Sequence, residues 1–180
     1  LKQHTRKTDQ EVDAIVKARL AEVGLSASVV HKRPAELSGG MRKRVGLARA
    51  IALDPAILLF DEPTTGLDPI MSDVINELMM RTRRNHPVTS VIVSHDMRTA
   101  RKVADRVVMV FPLSRLQADE PQIIFDGPPS ELDRVDDPRV LQFVHGEAGA
   151  DEVGTGYGPR NRLGEGDGGD DCGYVRIDEH

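Results

Sequence analysis

The 180-residue sequence is short of the residues on which three classes of protein depend. It has one cysteine, Cys172, so it can form no internal disulfide and has no cysteine pair at metal-binding spacing. Aromatic residues make up 3% of the chain and tryptophan is absent, which leaves few rings on which nucleic-acid bases could stack. No apolar run approaches the roughly 20 residues that cross a bilayer. We therefore expect neither a disulfide-stabilised secreted domain, nor a base-stacking protein, nor a membrane-spanning one.

The charge balance and the N-terminal residues narrow the expected setting. The formal net charge of −5 argues against general affinity for nucleic acid. The first residues lack the apolar core of a secretion signal, and the lone cysteine fits a reducing, cytoplasmic setting. Any association with a membrane is therefore expected to come through a partner.

Apolar periodicity and chain-breaking residues predict alternating helices and strands over most of the chain. Helices are expected at 9–23, 40–53, 69–84 and about 97–102, and strands at 56–60, 88–93, 107–111 and 122–125. This alternation is typical of an α/β fold with a largely parallel sheet, in which ligands bind beyond the carboxyl ends of the strands.

Local signals add detail at three places. Thr8 and Glu11 have capping-box spacing at the start of the first helix, and Gly24 is a suitable stop for it. Residues 56–60 are continuously apolar, which predicts a strand buried on both faces. From about residue 146 glycines and acidic residues dominate, which predicts a disordered tail over 146–180, with a short strand near 174–177 as its one suggested regular element.

The turn formed by Ser38, Gly39 and Gly40 precedes a basic helix and has two interpretations. As a phosphate site, it offers a hydroxyl and two backbone N–H groups where no Cβ obstructs the approach of an anion. As a plain helix N-cap, it accounts for Ser38 and one glycine, but the second glycine and the basic helix are unexplained. The pattern favours phosphate binding.

Polar residues follow two of the predicted strands. Asp61 and Glu62 come directly after 56–60, and His95 comes after 88–93. Adjacent carboxylates on an extended chain point to opposite sides, so one can hold Mg²⁺ while the other orients a water. The alternatives are a pair of solvated acids and a structural histidine. Asp68 is a suitable cap for the helix at 69–84, a role that is compatible with a second one at an interface.

Four motifs, in this order, resemble those of ABC-type ATPases. They are the signature motif at 37–50, the Walker B strand with its catalytic glutamate at 57–64, the D-loop at 66–69 and the switch histidine at 92–96. The resemblance covers about residues 10–145. It implies a P-loop-NTPase-like, mostly parallel α/β domain, with a helical signature subdomain at about 9–53 and a catalytic core at about 54–145.

The resemblance also implies the roles of individual residues. Glu62 would polarise the attacking water, His95 would contact the γ-phosphate of ATP, and Asp61 would hold Mg²⁺ through water. The residues implied to bind nucleotide, from the opposite subunit of a dimer, are Ser38, Gly39, Gly40 and the D-loop Asp68.

Two parts of the family pattern are missing from this sequence. It contains no G-x-x-x-x-G-K-[ST] phosphate loop and no Q-loop glutamine, and Met41 stands where the signature more often has glutamine. The first residue is Leu1 rather than Met. We therefore expect a fragment that is incomplete at its N-terminus, with weak affinity for ATP and negligible hydrolysis on its own.

A narrower resemblance points to one kind of ABC system. Residues 1–5, 37–41, 48–55 and 137–146 are similar to ATPases of the Mla and mammalian-cell-entry (MCE) type. This implies a cytoplasmic ATPase, paired with a second copy or a second ATPase subunit, at the inner face of the cell membrane. Its implied partners are an integral-membrane permease and an MCE-type lipid-binding protein, with no nucleic acid, and its implied cargo is a phospholipid or another lipid.

Two rival functions remain at this point. A DNA-associated ABC-type ATPase is disfavoured because no long heptad region and no strongly basic surface accompany the motifs. A non-catalytic, truncated subunit-contact module stays open, because every motif present would act on nucleotide bound elsewhere.

Overall fold

The computed structural model describes residues 5–146 and the backbone of 174–176. The chain divides into two compact units, Leu1–Val91 and Ile92–His180, which are described separately. The subdomain boundaries expected from the sequence, near residues 53 and 145, stay predictions. None of the helices in the described ranges is long and apolar enough to cross a membrane.

The first unit contains three helices, one strand and the start of a second. They are α1 (Asp9–Glu22), α2 (Gly39–Ala50), β1 (Ile57–Asp61), α3 (Pro69–Asn85) and β2 (Thr89–Val93), whose last two residues belong to the second unit. Strands β1 and β2 are neighbours in one sheet and are joined through α3, which is the crossover connection that parallel neighbours require. Short 3₁₀ segments at 27–31, 34–36 and 51–53 complete the unit.

Helix α1 begins and ends as its sequence predicts. The Thr8 N–H donates to Glu11 Oε2 at 2.7 Å, and the Glu11 N–H donates to Thr8 Oγ1 at 3.3 Å, so the capping box is confirmed. Gly24 follows the helix with φ of +71°, a conformation that glycine adopts without steric cost.

A hydrophobic core joins α1, α2, β1 and the 3₁₀ segments of the first unit. Its most deeply buried members lie at the ends of α1 and α2, where Val23 is 0% and Ile51 is 1% exposed. The remaining buried residues of this core are Leu20, Leu25, Val29, Leu37, Leu47, Ala48, Leu58 and Val88.

Strand β1 corrects one prediction. The continuous apolar run predicted burial on both faces, but only Leu58 is buried, at 4% exposed. Ile57 is 60% and Leu59 is 78% exposed, because no described residue covers the face of β1 that they share. Period-two alternation assigns Leu58 to the core and its two neighbours to the opposite face.

Among its described residues, the second unit contains the end of one strand, two helices and three further strands. They are the end of β2, α4 (Met97–Val103), β3 (Val107–Val110), β4 (Ile123–Gly127), α5 (Pro138–His145) and β5 (Tyr174–Arg176), which lies beside β2 in its sheet. Strands β3 and β4 pair antiparallel, from Val107 opposite Gly127 to Val110 opposite Ile123. The hydrophobic core of this unit consists of Ala100, Val107, Met109, Phe125, Leu132 and Val140.

The C-terminal part of the described chain adds an element that the sequence prediction lacked. Asp137 caps the start of helix α5, where its Oδ1 accepts the Arg139 N–H at 2.9 Å, and Gly146, with φ of +67°, caps its end. The predicted disordered tail lies outside the described residues, apart from Gly146 and the strand β5. That strand occupies three of the four positions, 174–177, at which the sequence suggested one.

Candidate functional site

The Ser38 turn is the exposed start of helix α2. Ser38 has extended backbone angles, and its Oγ accepts the Met41 N–H at 3.2 Å, so it is the N-cap. A serine hydroxyl that accepts one bond still carries a hydrogen to donate. The first N–H groups of a helix have no intrahelical partner, and here they belong to Gly39 and Gly40. The turn can therefore offer a hydroxyl and backbone amides to an anion.

The two glycines of this turn differ in their surroundings. Gly39 is exposed, and an added Cβ would lie at an ordinary 3.7 Å from Leu67 Cδ2. Gly40 is buried, and an added Cβ would lie 2.5 Å from the terminal methyl carbon of Met71, on α3. An alanine at position 40 would therefore have to displace the flexible end of Met71, a contact between α2 and α3 that is separate from any phosphate chemistry.

Glu62 lies in a bend directly after β1. Its φ is +45°, in the left-handed region that residues with a Cβ rarely adopt. Its carboxylate Oε2 accepts the Thr65 hydroxyl at 2.6 Å. Its carbonyl oxygen accepts Lys43 Nζ at 2.7 Å and the Thr65 N–H at 3.4 Å. The side chain and the backbone of Glu62 are thus both held by hydrogen bonds.

This bend corrects the expected arrangement of the carboxylate pair. The sequence interpretation placed Asp61 and Glu62 on opposite sides of an extended chain, but β1 ends at Asp61 and the chain turns at Glu62. The relative direction of the two carboxylates is therefore set by the bend rather than by strand alternation. The bend is held by contacts from Thr65 and Lys43.

Asp61 is an exposed carboxylate at the carboxyl end of β1. The described residues contain no group of three or more metal-ligating side chains. Mg²⁺ in nucleotide sites is commonly bound by one or two carboxylates together with waters and substrate phosphates. A single, accessible carboxylate such as Asp61 fits that kind of site.

Asp68 caps helix α3, as its sequence predicts. Its Oδ1 accepts the N–H groups of Ile70 and Met71, each at 3.0 Å, and Pro69 occupies the first helical position. Gly66, with φ of +76°, turns the chain shortly before it. The cap fixes the Asp68 side chain, and its expected interface role stays a prediction.

His95 lies in the second unit, directly after β2, and its side chain is exposed. The Asp96 N–H donates to Ser94 Oγ at 3.1 Å, and Asp96 caps α4 by accepting the Arg98 N–H at 3.0 Å. The Thr99 hydroxyl donates to the other Asp96 oxygen at 2.7 Å. The residues on both sides of His95 are therefore held by hydrogen bonds, which fixes the backbone position from which its side chain extends.

The candidate residues thus fall into two groups. The first unit contains Ser38, Gly39, Gly40, Asp61, Glu62 and Asp68, and the second contains His95. Within the first unit, Lys43 connects α2 to Glu62, and Met71 packs α3 against the Ser38 turn. Sequence reasoning missed Lys43 and Thr65 because their contacts depend on the fold.

The chain is similar to ABC proteins over both of its units. The family model described as "ABC transporter" matches residues 1–65. The chain is 41% identical over 146 residues to the probable ribonucleotide transport ATP-binding protein mkl of Mycobacterium tuberculosis, covering 81% of this chain and 38% of that protein. It is 39% identical over 148 residues to the intermembrane phospholipid transport system ATP-binding protein MlaF of Haemophilus influenzae, covering 82% and 53%.

Similarity to a solved structure agrees with these sequence relatives. The dimeric ATP-binding cassette MJ0796, in a post-hydrolysis state bound to ADP and Pi, is 30% identical with a TM-score of 0.51, covering 58% of this chain and 45% of that one. The expected α/β fold of this family is thereby confirmed. The chain spans from about 38% to 53% of the length of the curated relatives given above.

Proposed function

Because this chain belongs to the ABC transporter family, we propose that it is part of an ATP-binding and ATP-hydrolysing subunit that energises transport through a membrane permease. The observation that carries the proposal is that the first unit holds two groups of candidate residues in one packed structure. An exposed Ser-Gly-Gly helix start and a carboxylate pair beyond β1 share one packed framework, joined by the bond from Lys43 to Glu62.

Each candidate residue has a role in this proposal. The hydroxyl of Ser38 and the amides of Gly39 and Gly40 bind the γ-phosphate of an ATP that a second copy or a second ATPase subunit holds. Asp68 contributes from the D-loop at the interface between the two subunits. The solved MJ0796 cassette is dimeric and bound to ADP and Pi, which supports the two-subunit arrangement.

On the side of its own nucleotide, the chain contributes two carboxylates and a histidine. Glu62 orients and polarises the attacking water, and the bond from Thr65 holds its carboxylate before substrate arrives. His95 contacts the γ-phosphate. Asp61 would hold Mg²⁺ through water, and the ion would neutralise charge on the phosphates. Loss of the γ-phosphate removes the group that both subunits contact, so the pair opens and moves the permease.

The substrate class is the finer part of the proposal. MlaF is described as part of an intermembrane phospholipid transport system, which supports a lipid cargo, an MCE-type lipid-binding partner and a position at the inner face of the cell membrane. Mkl is described as a ribonucleotide transport protein, so the relatives agree on the ATPase and differ on the cargo. We propose that the transported cargo is a phospholipid or another lipid, because the motifs at 37–41, 48–55 and 137–146 are similar to those of Mla- and MCE-type ATPases.

The proposal is tested by comparing the 180-residue chain with a complete subunit that includes a phosphate loop. The chain alone is expected to show negligible ATP hydrolysis, and the complete subunit is expected to hydrolyse ATP. Hydrolysis by the chain alone that is abolished by Glu62→Gln would contradict the need for the loop. A complete subunit that neither binds nor hydrolyses ATP would favour the non-catalytic contact module.

A further inference from the structure

The bond from Lys43 to Glu62 links two elements that the proposed function uses separately. Lys43 Nζ lies 2.7 Å from the Glu62 carbonyl oxygen in a partly buried position. Lys43 is on α2, five residues after Ser38, or about 7.5 Å along the helix axis. Glu62 follows β1 and is 19 residues further along the chain.

The backbone of Glu62 needs such a hold. A residue with a Cβ persists at φ of +45° only where its surroundings over-determine the conformation. Two of its three hydrogen bonds described above come from Thr65, in the same bend, and the bond from Lys43 comes from a different element. A lysine ammonium donates up to three charge-assisted bonds, which are stronger than neutral ones.

We propose that Lys43 is a positioning residue for Glu62. Its ammonium group fixes the carbonyl of the left-handed bend, and the bend sets the direction from which the Glu62 carboxylate reaches the attacking water. The inference rests on the proposed function, because it takes Glu62 as the residue that orients the water.

The same contact ties Glu62 to the Ser38 turn. Both Lys43 and the turn belong to α2, and the N-terminal end of α2 is packed so closely on α3 that a Cβ at Gly40 would meet Met71 at 2.5 Å. Helix α2 is therefore braced by α3 at its start and bonded to the catalytic bend at Lys43. In the proposed pair of subunits, the turn serves the partner's nucleotide while Glu62 serves the chain's own. A shift of α2 when the turn meets phosphate would thus be transmitted to Glu62.

The test compares three variants in the complete subunit. Lys43→Met removes the donor and keeps the length of the side chain, and Lys43→Arg restores a charged donor. Lys17→Met is the matched control, because Lys17 is an exposed lysine on α1, outside the motifs named above, and its Nζ pairs with Asp13 Oδ2 at 2.6 Å. Each variant is measured by steady-state ATP hydrolysis and by hydrogen–deuterium exchange of the peptide covering 62–67.

Lys43→Met is expected to lower kcat by about 10- to 100-fold, the scale of a small misplacement of a catalytic group. Its KM is expected to change by less than about twofold, because the ground-state contacts to ATP are unaltered. Exchange is expected to rise in 62–67 and to stay unchanged in α1 and α3. Lys43→Arg should recover most of the loss, and Lys17→Met should behave as the wild type.

Three results would overturn the inference. They are wild-type kcat in Lys43→Met, unchanged exchange in 62–67, and a rise in exchange over the whole first unit, which would mean a purely structural role. Failure of the proposed function is recognised separately, because Glu62→Gln would then leave hydrolysis intact while the exchange of 62–67 still reports on the Lys43 bond.

Discussion

The Ser38 turn and the Glu62 bend are both exposed, polar ends of regular elements, but they are held in different ways. The Ser38 turn is closed by a bond between residues three apart, and its cap has ordinary extended backbone angles. The Glu62 bend has φ of +45° and depends on a lysine 19 residues away. A capped helix start can be specified by local sequence, whereas the direction of the Glu62 side chain is fixed by the tertiary structure around it.

The largest expected effect is a loss of ATP hydrolysis, without loss of ATP binding, when the Glu62 carboxylate is removed. Glu62→Gln keeps the shape of the bend but removes the carboxylate that we propose polarises the attacking water, so ATP hydrolysis in the complete subunit should fall by at least about 100-fold. ATP should still bind, and an ATP-bound dimer should accumulate in size-exclusion chromatography with light scattering. A variant that remains monomeric with ATP would count against the shared-nucleotide arrangement.

A second prediction compares the two glycines of the Ser38 turn by the stability of their alanine variants. Gly40→Ala should be less stable than Gly39→Ala by up to about 1 kcal/mol, because its Cβ must displace the flexible terminal methyl of Met71 while Gly39 has room. Chemical denaturation of the two variants checks this, and each glycine controls for the gain in helix propensity at the other. Equal stabilities would mean that Met71 rotates away at no cost and that close packing does not require glycine at position 40.

The cap of α3 gives an effect of similar size. Asp68→Ala should lower the free energy of unfolding by about 1 kcal/mol, because the N–H groups of Ile70 and Met71 lose their acceptor. Asp68→Asn is the control, since its amide oxygen can still cap the helix. If both variants unfold at the wild-type denaturant concentration, the cap contributes nothing; if both lose ATP hydrolysis, the D-loop carboxylate has a role that the cap does not explain.

The smallest expected effect lies away from both regions, where α1 meets the end of α3. Burial raises the pKa of Glu22, but hydrogen bonds from His86 Nε2 at 2.6 Å and Arg19 at 3.1 Å outweigh it and hold the pKa below the ordinary value of 4.5. The carboxylate is charged more readily in the folded chain than in the unfolded one. Its stabilisation is therefore complete above pH 4.5 and is lost as the pH falls through the lowered pKa.

Glu22→Gln tests that contribution directly. Wild-type stability should decline between neutral pH and pH below 4.5 more steeply than that of Glu22→Gln, by under about 1 kcal/mol. Thermal unfolding across this pH range is the measurement. Parallel pH profiles for the two proteins would show that the contacts of Glu22 with His86 and Arg19 do not stabilise the fold.

The features that the sequence predicted well are those encoded by neighbours in the chain. The capping box of Thr8 and Glu11 and the caps at Ser38 and Asp68 are each formed by residues two or three apart, and all are confirmed. The strand–helix alternation followed from apolar periodicity in the same way. Helix α5 carried a comparable signal in Asp137, Pro138 and Gly146, which the sequence prediction did not use.

The features that it missed are those made by residues distant in the chain. The left-handed bend at Glu62, the bond from Lys43 and the packing of Met71 on Gly40 have no signature in local spacing. The exposed face of β1 was missed for a related reason, since a continuous apolar run does not say which of its faces will be covered. Local sequence rules predicted where the helices and strands begin and end. Packing between distant residues determined how the polar side chains at those ends are held.

In the proposed pair of subunits, the Ser38 turn of one subunit and Glu62 of the other act on the same nucleotide, so the two residues of any one copy serve different nucleotides. The most direct measurement mixes two inactive complete subunits, one carrying Ser38→Arg and the other Glu62→Gln. If the turn acts on the partner's nucleotide, the mixed pair contains one intact site and one doubly defective site, so ATP hydrolysis should return. If both residues serve the same copy's nucleotide, both sites stay defective, and mixed pairs that form with ATP but remain inactive would contradict the account.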